Sequence, residues 1–196
     1  GIAAWCGAAE RIVLNDAAVV TDPDPPSFVQ YVVEDLVGYL RQSTGSEIRI
    51  GTSLNVKAPT LIAAGPKAAR HLLGYALKLE DLGEEGYLLA TASKEGVECV
   101  VVTGAGPLGT HAGVAALMKA IEFEGRTAFV AAPLNLRRKP AFAKRGMHFN
   151  GWPFNYPHSF RRWREEDWQR YLDILACQGV NLFYLWPFIE IMPVPL

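Results

Sequence analysis

The sequence has no surplus of either charge: 19 Lys and Arg stand against 20 Asp and Glu, a net charge of −1 over 196 residues. Nucleic-acid binders carry a basic excess or stripe. The one basic cluster here, Arg161, Arg162 and Arg164, is cancelled at once by Glu165, Glu166 and Asp167, so no nucleic-acid partner is expected. Long apolar runs are missing as well. None reaches the roughly 18 residues of a membrane helix, and no membrane partner is expected. Cysteine is scarce: Cys6, Cys99 and Cys177 are odd in number, far apart and form no C-x-x-C pair, which excludes a disulfide framework and a zinc knuckle. His71, His111 and His158 have no metal-ligand partners at recognisable spacing, so neither a metal nor another cofactor is expected.

What is present is ordinary globular composition, half apolar and a fifth charged. Two short apolar runs from Arg11 to Val20, broken at Asn15-Asp16, read as a hairpin or a bent strand. Ser27 reads as a helix N-cap, followed by Phe28, Val32, Leu36 and Leu40 at helical spacing up to Thr44-Gly45. Strands are expected at 47–50 and 60–64, and a short helix from Gly65-Pro66 to Leu73. Two further strands, 86–92 and 97–103, flank the turn signal Ser93-Lys94-Glu95-Gly96. A helix is expected over 110–121 and a last strand over 129–132. Strands mixed with helices and at least one hairpin predict an α+β fold, a mixed sheet carrying helices on one face.

Residues 134–144 hold four basic residues, a proline and no clean period. They read as a junction between a first domain, 1–138, and a second segment, 139–196. That segment reads as a strand at 145–149, a helix at 165–178 closed by Gly179, and a strand at 181–186. Strand, helix, strand with short connections is a parallel unit.

Gly104-Ala105-Gly106-Pro107-Leu108-Gly109 fits G-x-G-x-x-G between a strand and a helix, the spelling of a dinucleotide-binding turn. Three features argue for a purely structural turn. About a hundred residues precede it, whereas the fingerprint opens its domain. Its strand pairs in a hairpin. The acidic residue expected about 20 positions on is replaced by Ala131, Ala132 and Pro133.

Arg145-Gly146-Met147-His148-Phe149, then Asp167 to Asp173 with Ala176, then Gly179-Val180-Asn181-Leu182-Phe183 resemble the opening of a glycoside hydrolase barrel. The text is similar to that of family 20 hexosaminidases and family 67 α-glucuronidases. Upstream, Glu34-Asp35-Leu36 through Thr44-Gly45, Gly83 to Tyr87, and Val102 through Gly113 resemble their small N-terminal α+β domain. The resemblance implies a carbohydrate substrate, export from the cytoplasm, and a (β/α)8 barrel. A barrel needs about 250 residues, yet only 52 run from Arg145 to Leu196, so the chain would hold an accessory domain and a truncated barrel. The carboxylate pair that such chemistry needs would lie on later strands. No catalytic residue is therefore nominated, and the chain alone is expected to be inactive.

Substrate-binding candidates at the C-terminal face of the two barrel-like strands, where barrel sites are built, are His148, Asn150, Trp152 and Trp186, and Arg145 joins them because it resembles the arginine that grips ring hydroxyls in family 20 enzymes. Each has a plainer reading, an ion pair for Arg145 and core packing for the tryptophans. Leu185-Trp186-Pro187-Phe188 matches the text of neither family, so the sugar stays open. Two other functions are on the table: a nucleotide-binding domain using Gly104–Gly109, and a non-catalytic carbohydrate-binding module. The apolar run Phe183 to Ile189 would lack its barrel neighbours, so self-association is expected.

Overall fold

The computed structural model describes residues 11–52, 56–74, 77–150 and 163–186, and of Asn150 and Trp186 the backbone only. The chain divides into two compact units, Gly1–Pro140 and Ala141–Leu196.

The first unit is organised by a six-stranded mixed sheet. β2 (Ala18–Thr21) pairs in parallel with β3 (Arg49–Gly51) and with β4 (Thr60–Ala64), and β4 pairs in parallel with β6 (Val97–Gly104). β5 (Tyr87–Lys94) folds back antiparallel on β6 through a two-residue turn, and β9 (Asn135–Arg138) pairs antiparallel with the other edge of β5. The turn residues Glu95 and Gly96 have φ of 53° and 80°, the left-handed pair that matches strand twist in a tight hairpin. A smaller antiparallel sheet joins β1 (Arg11–Val13), β8 (Thr127–Ala131) and β7 (Glu122–Glu124) in the order β1-β8-β7.

The stretch 11–20 is therefore not a hairpin: β1 and β2 belong to different sheets. The bend between them is held by Asn15, whose Nδ2 donates to the Arg126 carbonyl at 3.0 Å and whose Oδ1 accepts from the Ala128 N–H at 2.9 Å.

Parallel neighbours need crossovers, and α1 (Ser27–Thr44), α2 (Pro66–Leu73) and α3 (Pro107–Ala120) supply them or follow them. Strand alternation sends Val19, Ile62, Val100 and Val102 to the face packed by Val32, Leu36 and Leu40 of α1 and by Val114 and Leu117 of α3. Ala63 and Val101 point the other way, onto Ala68 and Ala69 of α2. Helices on one face thus hold for α1 and α3, while the short α2 lies on the opposite face.

Helix ends explain two further differences. α1 begins at Ser27, preceded by Pro26 with no side-chain cap, so Ser27 is the first helical residue rather than the cap. Its C-terminus ends at Gly45, whose φ of 75° returns the N–H to the Arg41 carbonyl. α3 starts at Pro107, three residues earlier than expected, because proline's fixed φ suits the first helical position. β9 is a larger correction. Residues 135–138 belong to the first unit's sheet rather than to a structureless junction. An edge strand needs backbone partners more than apolar alternation, and only Leu136 of its four residues packs on the core.

The second unit is the expected strand, helix, strand. β10 (Gly146–Asn150) and β11 (Leu182–Trp186) pair in parallel with α4 (Glu165–Cys177) between them. Its interior is aromatic: the Phe149 ring lies 5.5, 5.6 and 6.0 Å from those of Trp163, Trp168 and Phe183. Acidic residues fill the first turn of α4, where the dipole favours them, and Asp167 Oδ2 accepts from the Arg164 N–H at 2.9 Å. Among the described residues no helix is long and apolar enough to cross a membrane.

Candidate functional site

Register decides which candidate residues meet. Asn150 pairs with Trp186 at the C-terminal ends of β10 and β11, and His148 pairs with Tyr184 two positions earlier. The His148 and Tyr184 rings are 5.2 Å apart, and Tyr184 is 61% exposed. Tyr184 was not among the residues picked from the sequence. Counting back by two from Trp186 would have found it once the parallel register was known. Trp152 lies outside the described residues.

Arg145 stands at the other end. It precedes β10, and a five-residue strand spans about 16 Å, so it does not join Asn150 and Trp186. Its Nε donates to the Gly179 carbonyl at 2.6 Å and its Nη1 to the Phe142 carbonyl at 2.7 Å. The backbone around it is tied equally closely. Asn181 Oδ1 accepts from the Arg145 N–H at 2.8 Å, and Asn181 Nδ2 donates to the Ala143 carbonyl at 2.7 Å. Arg145, Gly179 and Asn181, the most legible letters of the barrel-like text, thus form one clamp at the N-terminal ends of the two strands. This is a structural placement.

The carboxylates of the second unit's first helical turn serve the helix. Glu165 accepts from Gln169 at 3.1 Å, Glu166 meets Arg164 at 3.3 Å, and Asp167 caps. They present no opposed acid and base. Among the described residues no three of His, Cys, Asp and Glu converge as a metal site. Among the described residues of the first unit, Glu80 and Cys99 titrate away from their ordinary values. Glu80 is lowered, chiefly by its own and the Leu79 backbone N–H, and is exposed. Cys99, fully buried, is pushed up to about 11 by desolvation, which makes it a poor nucleophile.

The glycine turn packs on protein. A β-carbon on Gly109 would collide with the Gly86 carbonyl oxygen, and one on Gly104 would meet the Gly109 Cα at 2.5 Å. Gly106, by contrast, has nothing within 4 Å of such an atom. Gly104 and Gly109 are therefore needed for helix, strand and turn to touch one another. One of the three grounds for that reading needs amendment: β6 pairs antiparallel with β5 but also parallel with β4. The nearby N-terminus of α2 is already filled, since the Asp22 carboxylate accepts from the N–H groups of Lys67 at 3.1 Å and Ala68 at 2.8 Å.

No family model and no curated protein matches the sequence. Solved structures do match by fold. A family GH115 4-O-methyl-alpha-glucuronidase with specificity for decorated arabinogalactans superposes over 90% of this chain and 26% of its own, with TM-score 0.67 and 13% identity. A GH20 exo beta-N-acetylglucosaminidase from Vibrio harveyi covers 91% of this chain and 23% of its own, at TM-score 0.60 and 14% identity. A Streptomyces plicatus beta-hexosaminidase covers 91% and 31%, at TM-score 0.61 and 20% identity. The chain therefore has the α+β fold of a segment of these glycoside hydrolases and spans about a quarter of their length.

Proposed function

We propose that the chain is the N-terminal part of a carbohydrate-active glycoside hydrolase. The first unit is an accessory domain, and the second is the opening strand, helix and strand of a (β/α)8 barrel. One observation carries this reading: a single fold likeness to family 20 and family 115 enzymes runs through about 90% of the chain, across both units. The C-terminal ends of β10 and β11, at Asn150 and Trp186, then contribute to a sugar site, with Trp152 a candidate from the sequence alone, while later strands supply the acid and its partner carboxylate. An O-glycoside is the substrate class, and export is the corresponding localisation. In isolation the chain leaves Leu182, Tyr184 and Leu185 exposed on β11, and self-association through that strand follows.

The test is the length and activity of the natural polypeptide. A product extending well beyond Leu196 that hydrolyses nitrophenyl N-acetylglucosaminides or glucuronides supports the reading. A mature product of 196 residues, or a longer one without turnover on a broad glycoside panel, refutes it. The shorter chain is expected to show no turnover.

A further inference from the structure

Strand alternation gives the second unit two unlike faces. Phe149 and Phe183 turn to α4, where their rings meet those of Trp168 and Tyr171. His148 and Tyr184, one position away on each strand, occupy the opposite face, and their rings lie 5.2 Å apart at 48°. In a (β/α)8 barrel the face away from the helices is the interior, which bulky branched side chains ordinarily fill in layers. An imidazole against a phenol is a costly filling for such a layer, because each polar tip must find a partner once water is excluded. The register pair below them, Gly146 and Leu182, offers no polar side chain. Polar side chains therefore enter this face from the middle of the strands onward, toward the ends where barrel sites are built.

We infer that this pair is the floor of the sugar site: His148 hydrogen-bonds a substrate hydroxyl, and Tyr184 is the positioning residue that holds its ring. The inference rests on the functional reading above and deepens it. The pair stands two residues, about 6.6 Å along the strand, below Asn150 and Trp186, so it lies one layer beneath the strand ends. A ring–ring contact orients an imidazole through its face and edge rather than through its nitrogens. That is the support a hydrogen-bonding group needs. Tyr184, 61% exposed in this chain, has its ring on the same side as that imidazole rather than in the aromatic cluster under α4.

Kinetics of the longer natural polypeptide on a nitrophenyl glycoside that it hydrolyses test the assignment. Tyr184→Leu and Tyr184→Met, both without a ring, are expected to raise KM about three- to tenfold, the loss of one aromatic contact, with a smaller change in kcat. Tyr184→Phe keeps the ring and recovers most of that loss. Combining Tyr184→Leu with His148→Ala should weaken KM no further than His148→Ala alone, because a residue that acts through another adds nothing once the other is gone. Should one ringless variant not fold, the other carries the comparison. Additive losses overturn the inference, as do unchanged KM values in the ringless variants or a Phe variant as weak as they are. A natural polypeptide with no glycosidase turnover sinks the functional reading. An active enzyme indifferent to Tyr184 sinks only the positioning role.

Discussion

The side chain of Arg145 donates from Nε to the carbonyl oxygen of Gly179 at 2.6 Å, and Gly179 offers that carbonyl because its φ of 82° turns the chain out of α4. Two residues 34 positions apart thereby fix where the helix hands over to the second strand. Hydrogen bonds involving a charged partner contribute about 1.5–3 kcal/mol each. Arg145→Ala is therefore expected to destabilise the second unit by about 2 kcal/mol, read as a lower urea midpoint by tryptophan fluorescence. Arg145→Lys should recover only part of it, since an ammonium cannot serve two carbonyls as a planar fork does. Unchanged stability would return Arg145 to the pool of ligand-binding groups.

The glycine turn gives a paired comparison. Gly109→Ala drives a methyl group into the Gly86 carbonyl and should cost about 1–3 kcal/mol, the range for overpacking. Gly106→Ala meets open space at a φ of −145° and should stay within about 0.5 kcal/mol. Neither variant should alter the calorimetric response to NAD, which is expected to be nil. Saturable binding lost with Gly106→Ala would reinstate a nucleotide site.

Asp22 is a cap supplied from a distant strand end. Asp22→Ala frees the N–H groups of Lys67 and Ala68 and should lower stability by about 1 kcal/mol, as for other lost N-terminal caps. Hydrogen exchange should quicken at those two amides before it does elsewhere in α2. Uniform exchange across the helix would argue against a local cap.

Cys99 sets an alkaline limit. Burial raises its folded pKa to about 11 from an ordinary 9.0, so the folded state holds the proton more tightly than the unfolded chain. Its contribution is intact below pH 9 and is lost as pH climbs from about 9 toward 11. Stability should fall over that window, and Cys99→Ala should flatten the fall. Thiol reagents should modify half-buried Cys177 well before Cys99 in the native protein. A fast Cys99 reaction would contradict the burial.

Chain truncation separates two views of residues 135–138. Ending the chain at Pro140 keeps all four β9 pairings with Tyr87 to Ala90 and should leave a cooperative thermal transition. Ending it at Pro133 exposes the outer edge of β5 and should lower the transition temperature and promote aggregation. Equal melting of the two fragments would make β9 an ornament.

How much was legible depended on whether the signal was local. β4 and α2 lie where apolar runs and punctuation put them, and α4 does within a residue, because periodicity, proline and glycine act over a few positions. β7 and β9 were missed because Glu122–Glu124 and Asn135–Arg138 are polar segments whose strand character comes from distant partners. Ser27 failed as a cap because the two prolines before it already set the entry of the chain. In the candidate site, the two parallel strands were legible, but Asn150 was expected in the loop after 145–149 and instead extends β10 to pair with Trp186. Arg145 was chosen by resemblance alone, and its place before the first residue of β10 sets it apart from them.

The pairing of β1 with β8, and of β5 with β9, ties the first described strand and the middle of the first unit to residues 129–138 near its end. A polypeptide synthesised from its N-terminus cannot close this unit while Arg138 is still inside the ribosome. Until then β1 waits through about 120 residues of elongation for β8, and the flank of β5 through about 50 for β9. Domains emerge at about 5–20 residues per second, so the nascent chain spends several seconds in that open condition, and its vulnerability to misassembly is a matter of translation speed as much as of final stability.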